Sequence, residues 1–217
     1  MGEVSSNMSK NGVVVINKLK KDQKFEVYNN ENKTFVILLL DGVEQLGDVK
    51  INIAGKNAKV QILGIVIGYG KQKINLYTLQ DHFQPNSVSD LFIKSVLFDE
   101  AKFNYSGLIK IEKNAQKSNA YQKNQNLLMS PSAWADSRPY LEILANDVRC
   151  THGATIGKVD ENQLYYLATR GLSEIEATKL IVSGFYQEIL DRIPNQKIQK
   201  ELEAKIKSKI DKLLIKN

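Results

Sequence analysis

A change of period divides this chain. Up to about Gly157, short β-forming runs alternate with Gly, Asn and Asp; beyond it, the apolar spacing becomes helical. The β candidates are 13–16, 24–28, 34–40, 49–53, 59–67, 73–79, 91–98 and 108–112, all rich in Val, Ile, Tyr and Phe. Several alternate strictly, as in Val49, Ile51 and Ile53 against Lys50 and Asn52. No helical pattern of useful length interrupts them. Many short strands with turn residues between them mean a sandwich, a barrel or a β-solenoid. A loose recurrence near Ala58, Ile74, Lys102, Ala120 and Arg138 fits a solenoid, but its intervals are uneven, and the residues leave β-helix and sandwich open.

After Gly157, Asp160 and Gln163 read as an N-cap with a capping-box partner, and Gly171 as the end of that helix. Ser173 and Glu176 form a second box, opening a helix that Pro194 must end. Its apolar stripe is expected at Ala177, Leu180, Ile181, Gly184, Phe185 and Ile189. A third helix starts near Gln196, with Ile198, Leu202, Ile206, Ile210 and Leu214 on its packing side.

Composition narrows the function classes. The net charge is +6, but from Gln196 onward seven lysines face only Glu201, Glu203 and Asp211, so that tail carries +4 of it. The tail has no aromatic residue, so a solvated helix face is expected rather than a nucleic-acid site. The longest apolar run, 35–40, is strand-sized, so no membrane span is expected. Met1 to Lys10 lacks a signal-peptide core, and the single cysteine suits a reducing compartment, so a cytoplasmic protein is expected.

The usual catalytic constellations are missing. There is no G-x-x-x-x-G-K-[ST] and no G-x-S-x-G, and Gly68-Tyr69-Gly70 reads as a turn between strands. Two histidines, His82 and His152, nearly exclude hydrolytic triads and histidine-rich metal sites. What remains is Cys150 and His152. On a strand, a period of two puts Val148, Cys150 and His152 on one face. A thiolate beside an imidazole suits zinc or iron, though it supplies only two of four ligands. It also suits a nucleophilic Cys–His pair. The plainer alternative is a buried cysteine and a hydrogen-bonded histidine.

The string D-V-R-C-T-H-G-A-T-I-G at 147–157 resembles the signature of SufD proteins, in the SufB/SufD family. Similar stretches follow at 159–167, 170–172 and 176–177, and precede it at 115–117, 120–122, 124–125, 127–130 and 139–143. The resemblance is specific from about His82 to Pro194 and weaker before Gly68. A SufB-type chain would show E-H-E-A-T here, so Thr151 and Gly153 place it on the SufD side.

The resemblance implies a short right-handed parallel β-helix over 1–157 and a C-terminal helical subdomain over 158–217, a compact form without the family's usual N-terminal helical domain. It implies a non-catalytic scaffold subunit of an iron–sulfur cluster assembly complex. Such a subunit pairs with a SufB-type protein or with itself and docks a SufC-type ABC ATPase on its C-terminal helices. Tyr165, Tyr166, Arg170, Phe185 and Ile189 are expected at that ATPase interface. The cluster would be transient and held at a partner interface. There His152, with Cys150 beside it, supplies ligands that a partner completes. Whether a flavin binds is left open by the residues. Two other classes stand beside this reading: a β-solenoid interaction module with no cluster role, and a thiol enzyme using Cys150.

Overall fold

The computed structural model describes residues 12–41 and 44–214; Met1 to Lys10 lies outside them. Eleven strands and three helices form within the described residues. The odd-numbered strands are β1 (Val13–Ile16), β3 (Asn32–Leu39), β5 (Lys59–Gly68), β7 (Val88–Leu97), β9 (Asn119–Leu128) and β11 (Arg149–Lys158). They build one parallel sheet in that order. The even-numbered strands β2 (Gln23–Val27), β4 (Glu44–Ile53), β6 (Lys73–His82), β8 (Lys102–Ile111) and β10 (Trp134–Ile143) build the other. The chain thus alternates between two facing sheets, two strands to a coil, and the fold is a parallel β-helix rather than a sandwich. Strands neighbouring in sequence lie in opposite sheets, so the recurrence read from sequence mixed half-coil with full-coil steps. Asn75 lies beside Asn104, 29 positions on, whereas Ile93 lies beside Asn124, 31 positions on, because the corner 112–118 is longer than 83–87.

The corners repeat as the strands do. Asn30, Asn57, Asn86 and Lys117 all adopt left-handed backbone, with φ from 58° to 60°, at successive levels of one edge. Each donates its N–H to a carbonyl on the next coil: those of Lys56, Pro85, Gln116 and Asp147 respectively. Asparagine tolerates this conformation better than most residues, which explains its frequency between the β runs. At the opposite edge Gly70, at φ 58°, supplies the turn expected around Gly68-Tyr69-Gly70, and its N–H donates to the Asp99 carboxylate at 2.7 Å.

Side-chain patterns follow from which faces are covered. Phe35, Ile37, Ile62 and Leu91 point into the lumen, packing with Val49, Ile51, Ile74 and Leu76 from the other sheet. Val36, Leu38, Leu63, Ile65, Phe92 and Val96 point outward and are nonetheless buried. The C-terminal helices cover them. Helix α2 (Glu174–Leu190) contributes Val182, Tyr186 and Ile189, and α3 (Gln196–Leu214) contributes Leu202, Ile206 and Ile210. Strands buried on both faces read as continuous apolar runs, such as 35–40. The even-numbered strands keep a solvent face and alternate.

The expected caps largely form. Asp160 opens α1 (Glu161–Thr169) by accepting from the Asn162 N–H rather than through a box with Gln163. Gly171, at φ 89°, closes it: its N–H donates to Ala168 and that of Leu172 to Leu167, the Schellman pattern. The Ser173–Glu176 box is complete. The stripe predicted for α3 is the buried one. In α2, Thr178, Val182 and Tyr186 are buried, whereas Leu180 is exposed and Ile181 and Phe185 are only half-buried.

Candidate functional site

The lumen changes chemistry along its axis. One inward column reads Phe35, Ile62, Leu91, Gln122, His152 in ladder order, and the next Ile37, Gly64, Ile93, Asn124, Ala154. The first coils are filled with hydrocarbon, the later ones with amides and hydroxyls. Buried polar groups are costly unless partnered, and most of these are. Ser95 Oγ donates to Asn126 Oδ1 at 2.7 Å. The Asn126 amide donates to Asn124 Oδ1 at 2.8 Å and to the Thr155 carbonyl at 3.1 Å, tying β11 down. His82, fully buried, sits between Ser87 Oγ at 2.7 Å from Nδ1 and Ser89 Oγ at 2.8 Å from Nε2, and its burial pushes its pKa down to about 4. It is a satisfied core histidine.

Cys150 and His152 lie on β11, the last strand of its sheet, and pair with Ala120 and Gln122 of β9. Paired residues in a ladder point the same way, so both side chains face the lumen. Among the described residues no coil follows β11, so that end is open. Cys150 is half-buried, with Val148, against Ile109, Ile111, Ala120 and Ala145. Burial pushes its thiol up to about 11, so it is protonated at neutral pH. The shift is opposite in direction to the lowering that a nucleophilic Cys–His pair requires. His152 is exposed, and the rim around it is apolar, with Leu141, Ile143 and Ile156 39%, 40% and 48% exposed. Among the described residues no group of three or more His, Cys, Asp or Glu is arranged to hold a metal ion. Cys150 and His152 offer two donors on one face and no more.

Of the residues expected at a docking surface, Tyr165 and Tyr166 are 74% and 56% exposed, and the Arg170 guanidinium lies 5.2 Å from the Tyr166 ring centroid. Between α1 and α2, Tyr166, Leu167, Leu180 and Ile181 line a shallow apolar groove. Phe185 and Ile189 face the other way. Ile189 is wholly buried in the shared helix–sheet core, and the Phe185 ring packs under the Lys94 ammonium at 4.5 Å. Lys94, itself almost inaccessible, donates to Glu188 and to the Phe185 carbonyl, both at 2.7 Å, and so fastens α2 to β7. The fold therefore uses Phe185 and Ile189 internally and leaves the tyrosines and Leu180 free. None of the described helices is long and apolar enough to cross a membrane.

Sequence reading passed over Gln80, Gln122, Asn124 and Asn126, which line the lumen next to the site. The signal was present in 120–126, where every second residue is Ala, Gln, Asn and Asn. Amides at every second position look like loop, not like an inward face.

Comparison with known proteins gives the same direction throughout. Residues 20–185 match the family model of the SufBD core domain of the SUF iron–sulfur cluster assembly system. The match therefore reaches well before Gly68, where the resemblance looked weak. The chain is 29% identical over 168 residues to the iron–sulfur cluster assembly protein SufD of Escherichia coli (77% of this chain, 40% of that protein). It is 33% identical over 173 residues to SufD of Bacillus subtilis (80% and 39%). A SufBD-family assembly protein of Synechocystis is 33% identical over 144 residues (66% and 32%). The chain thus spans less than half the length of the curated relatives it matches.

Proposed function

Because the chain belongs to the SUF-system SufBD core family, we propose that it is a SufD-like, non-catalytic scaffold subunit of an iron–sulfur cluster assembly complex. The single observation that carries this reading is the placement of Cys150 and His152. They face the lumen at the β10–β11 end of the β-helix, which no further coil covers among the described residues, beside exposed strand edges and an apolar rim. Two donors cannot close a site, since cluster irons take several ligands, most often thiolates. The remaining ligands come from a second chain, a SufB-type protein or another copy, joined at the β10 and β11 edges, whose unpaired backbone groups are ready to accept strands. The cluster is cargo assembled between the chains. A SufC-type ABC ATPase docks in the groove of Tyr166, Leu167, Leu180 and Ile181, next to Tyr165 and Arg170, and supplies the nucleotide chemistry this chain lacks. A reducing compartment such as the cytoplasm suits the free thiol of Cys150.

The test is the reconstituted complex carrying His152→Ala. Iron and sulfide content is expected to fall to background while the subunits still copurify, with Cys150→Ser doing less harm. Full cluster yield from the His152→Ala complex would refute the assignment.

A further inference from the structure

Helix α1 is held by less than its length requires. It has nine residues, none of them buried, and it packs mainly on α2. Isolated helices shorter than about 12–15 residues are marginal in water, and helices in proteins draw most of their stability from burying one face. Leu164 and Leu167 are half-buried, whereas Tyr165 and Tyr166 stand in solvent. On α2, Ile175 and Leu180 are exposed as well. Apolar side chains gathered in this way mark a surface that another molecule covers.

The two ends of the groove differ in charge. Asp160, Asn162 and Gln163 line it at the start of α1, and the Asp160 carboxylate is already engaged, accepting from the Asn162 N–H. Arg170 stands at the other end of α1, about 14 Å along the helix axis. Its guanidinium lies over Tyr166, a wall of the groove, at 5.2 Å from the ring centroid. A ring contact places the guanidinium without satisfying its N–H donors. Among the described residues Arg170 forms no ion pair. An unpaired cation with a fork of donors is thus fixed at one end of an apolar groove.

We infer that the α1–α2 groove receives a protein segment that seats an apolar side chain against Leu167, Leu180 and Ile181 and presents a carboxylate to Arg170. The carboxylate pairs with the guanidinium in bidentate fashion, and the segment supplies the cover that α1 lacks. Tyrosine and arginine around an apolar centre are the residue types that dominate such interfaces. The net charge of +6 favours an acidic partner over a second copy of this chain. The inference deepens the docking role proposed for this groove and rests on it: the segment belongs to the ATPase partner.

The test is the binding of the full chain to a purified SufC-type ATPase, followed by titration calorimetry and by hydrogen exchange on α1. Arg170→Gln is expected to weaken binding at least roughly tenfold, the worth of one charge-assisted hydrogen bond. Arg170→Lys is expected to lose nearly as much, because an ammonium cannot make the bidentate pair. Added salt is expected to weaken the parent more steeply than Arg170→Gln. The amides of α1 are expected to exchange at least roughly tenfold more slowly in the complex than in the free chain. If Arg170 served only to stabilise α1 by its charge at the helix end, Arg170→Lys would bind like the parent. That result, parent-like binding of Arg170→Gln, or unchanged exchange of α1 in the complex would overturn the inference. Self-association of the free chain that Leu180→Asp abolishes would put a second copy in the groove and overturn it as well. Leu180→Asp separates the two levels. If it leaves ATPase binding intact, the docking role itself falls. If it abolishes binding while the Arg170 variants bind like the parent, the docking role stands and only the carboxylate pairing is removed.

Discussion

The hydroxyl of Tyr186 donates to the backbone carbonyl of Val66 at 2.6 Å, joining α2 to β5 across 120 residues of chain. Both groups are buried, so the bond measures how far the C-terminal helices belong to the β-helix. Tyr186→Phe is expected to cost about 1–2 kcal/mol in urea unfolding, and Ile189→Ala about 2–4 kcal/mol. A single transition common to the strand and helix signals is expected in each variant.

Surface substitutions on α1 and α2 should behave differently. Leu180→Asp, alone or with Tyr165→Ala, is expected to change stability by no more than about 0.5 kcal/mol. Copurification with the proposed ATPase partner should nonetheless be lost. Retained association in a folded Leu180→Asp protein would remove the α1–α2 groove from consideration.

Stability should depend on pH through two buried groups of opposite sign. Burial lowers His82 to about 4 from 6.5, so the fold holds the neutral ring. Its contribution, on the order of 3 kcal/mol, is full above pH 6.5 and is lost as pH falls toward 4. Burial, with help from Glu112 and Glu142 against the pull of Lys110, raises Asp81 to about 6 from 3.8. That destabilisation is full above pH 6 and vanishes below 3.8. Asp81→Asn is therefore expected to stabilise the protein at pH 7.5 and to have little effect at pH 4, while His82→Gln should flatten the acid limb. Urea titrations across this range would read both.

Cys150 should be a slow thiol. With its pKa pushed up to about 11, alkylation by iodoacetamide at pH 8 is expected to be far slower than for a free cysteine near 8.5, and to accelerate only as pH approaches 11. Rapid labelling at pH 7 in folded protein would contradict the burial described here.

Much of the architecture was legible in the sequence because burial on one face or two writes itself into side-chain order. The continuous run at 35–40 marks a strand covered twice, and 49–53 marks one covered once. The coil repeat was harder, since consecutive strands belong to different sheets and the corner at 112–118 shifts the count. Strands β9 and β11 carry amides, small residues and the Cys150–His152 pair where a core strand would carry Val or Ile, so propensity alone undersells them.

In α2 the expected stripe and the buried face share Ala177 and Ile189, but between them the buried face runs through Val182 and Tyr186, one residue on from Ile181 and Phe185. Tyr186 and Thr178 lie outside the expected stripe yet are buried: the tyrosine ring fills the core and its hydroxyl finds a carbonyl. Leu180 and Ile181, expected on that stripe, line the groove beside α1 instead. For the site, the shared face of Cys150 and His152 followed from a period of two. That this face lies at an uncovered end is a tertiary fact.

Among the described residues, strand β11 pairs with β9 and with nothing on its other side. In a linear stack each coil draws its cooperativity from its two neighbours, and this one has a single neighbour. The final rung should therefore fray first, its amides exchanging with solvent well before those of β5 or β7. The donors proposed to handle iron sit on this terminal rung. A second chain of the kind proposed, docking there, would supply the missing neighbour, so that recognition of the partner and annealing of the donor-bearing rung would become one event.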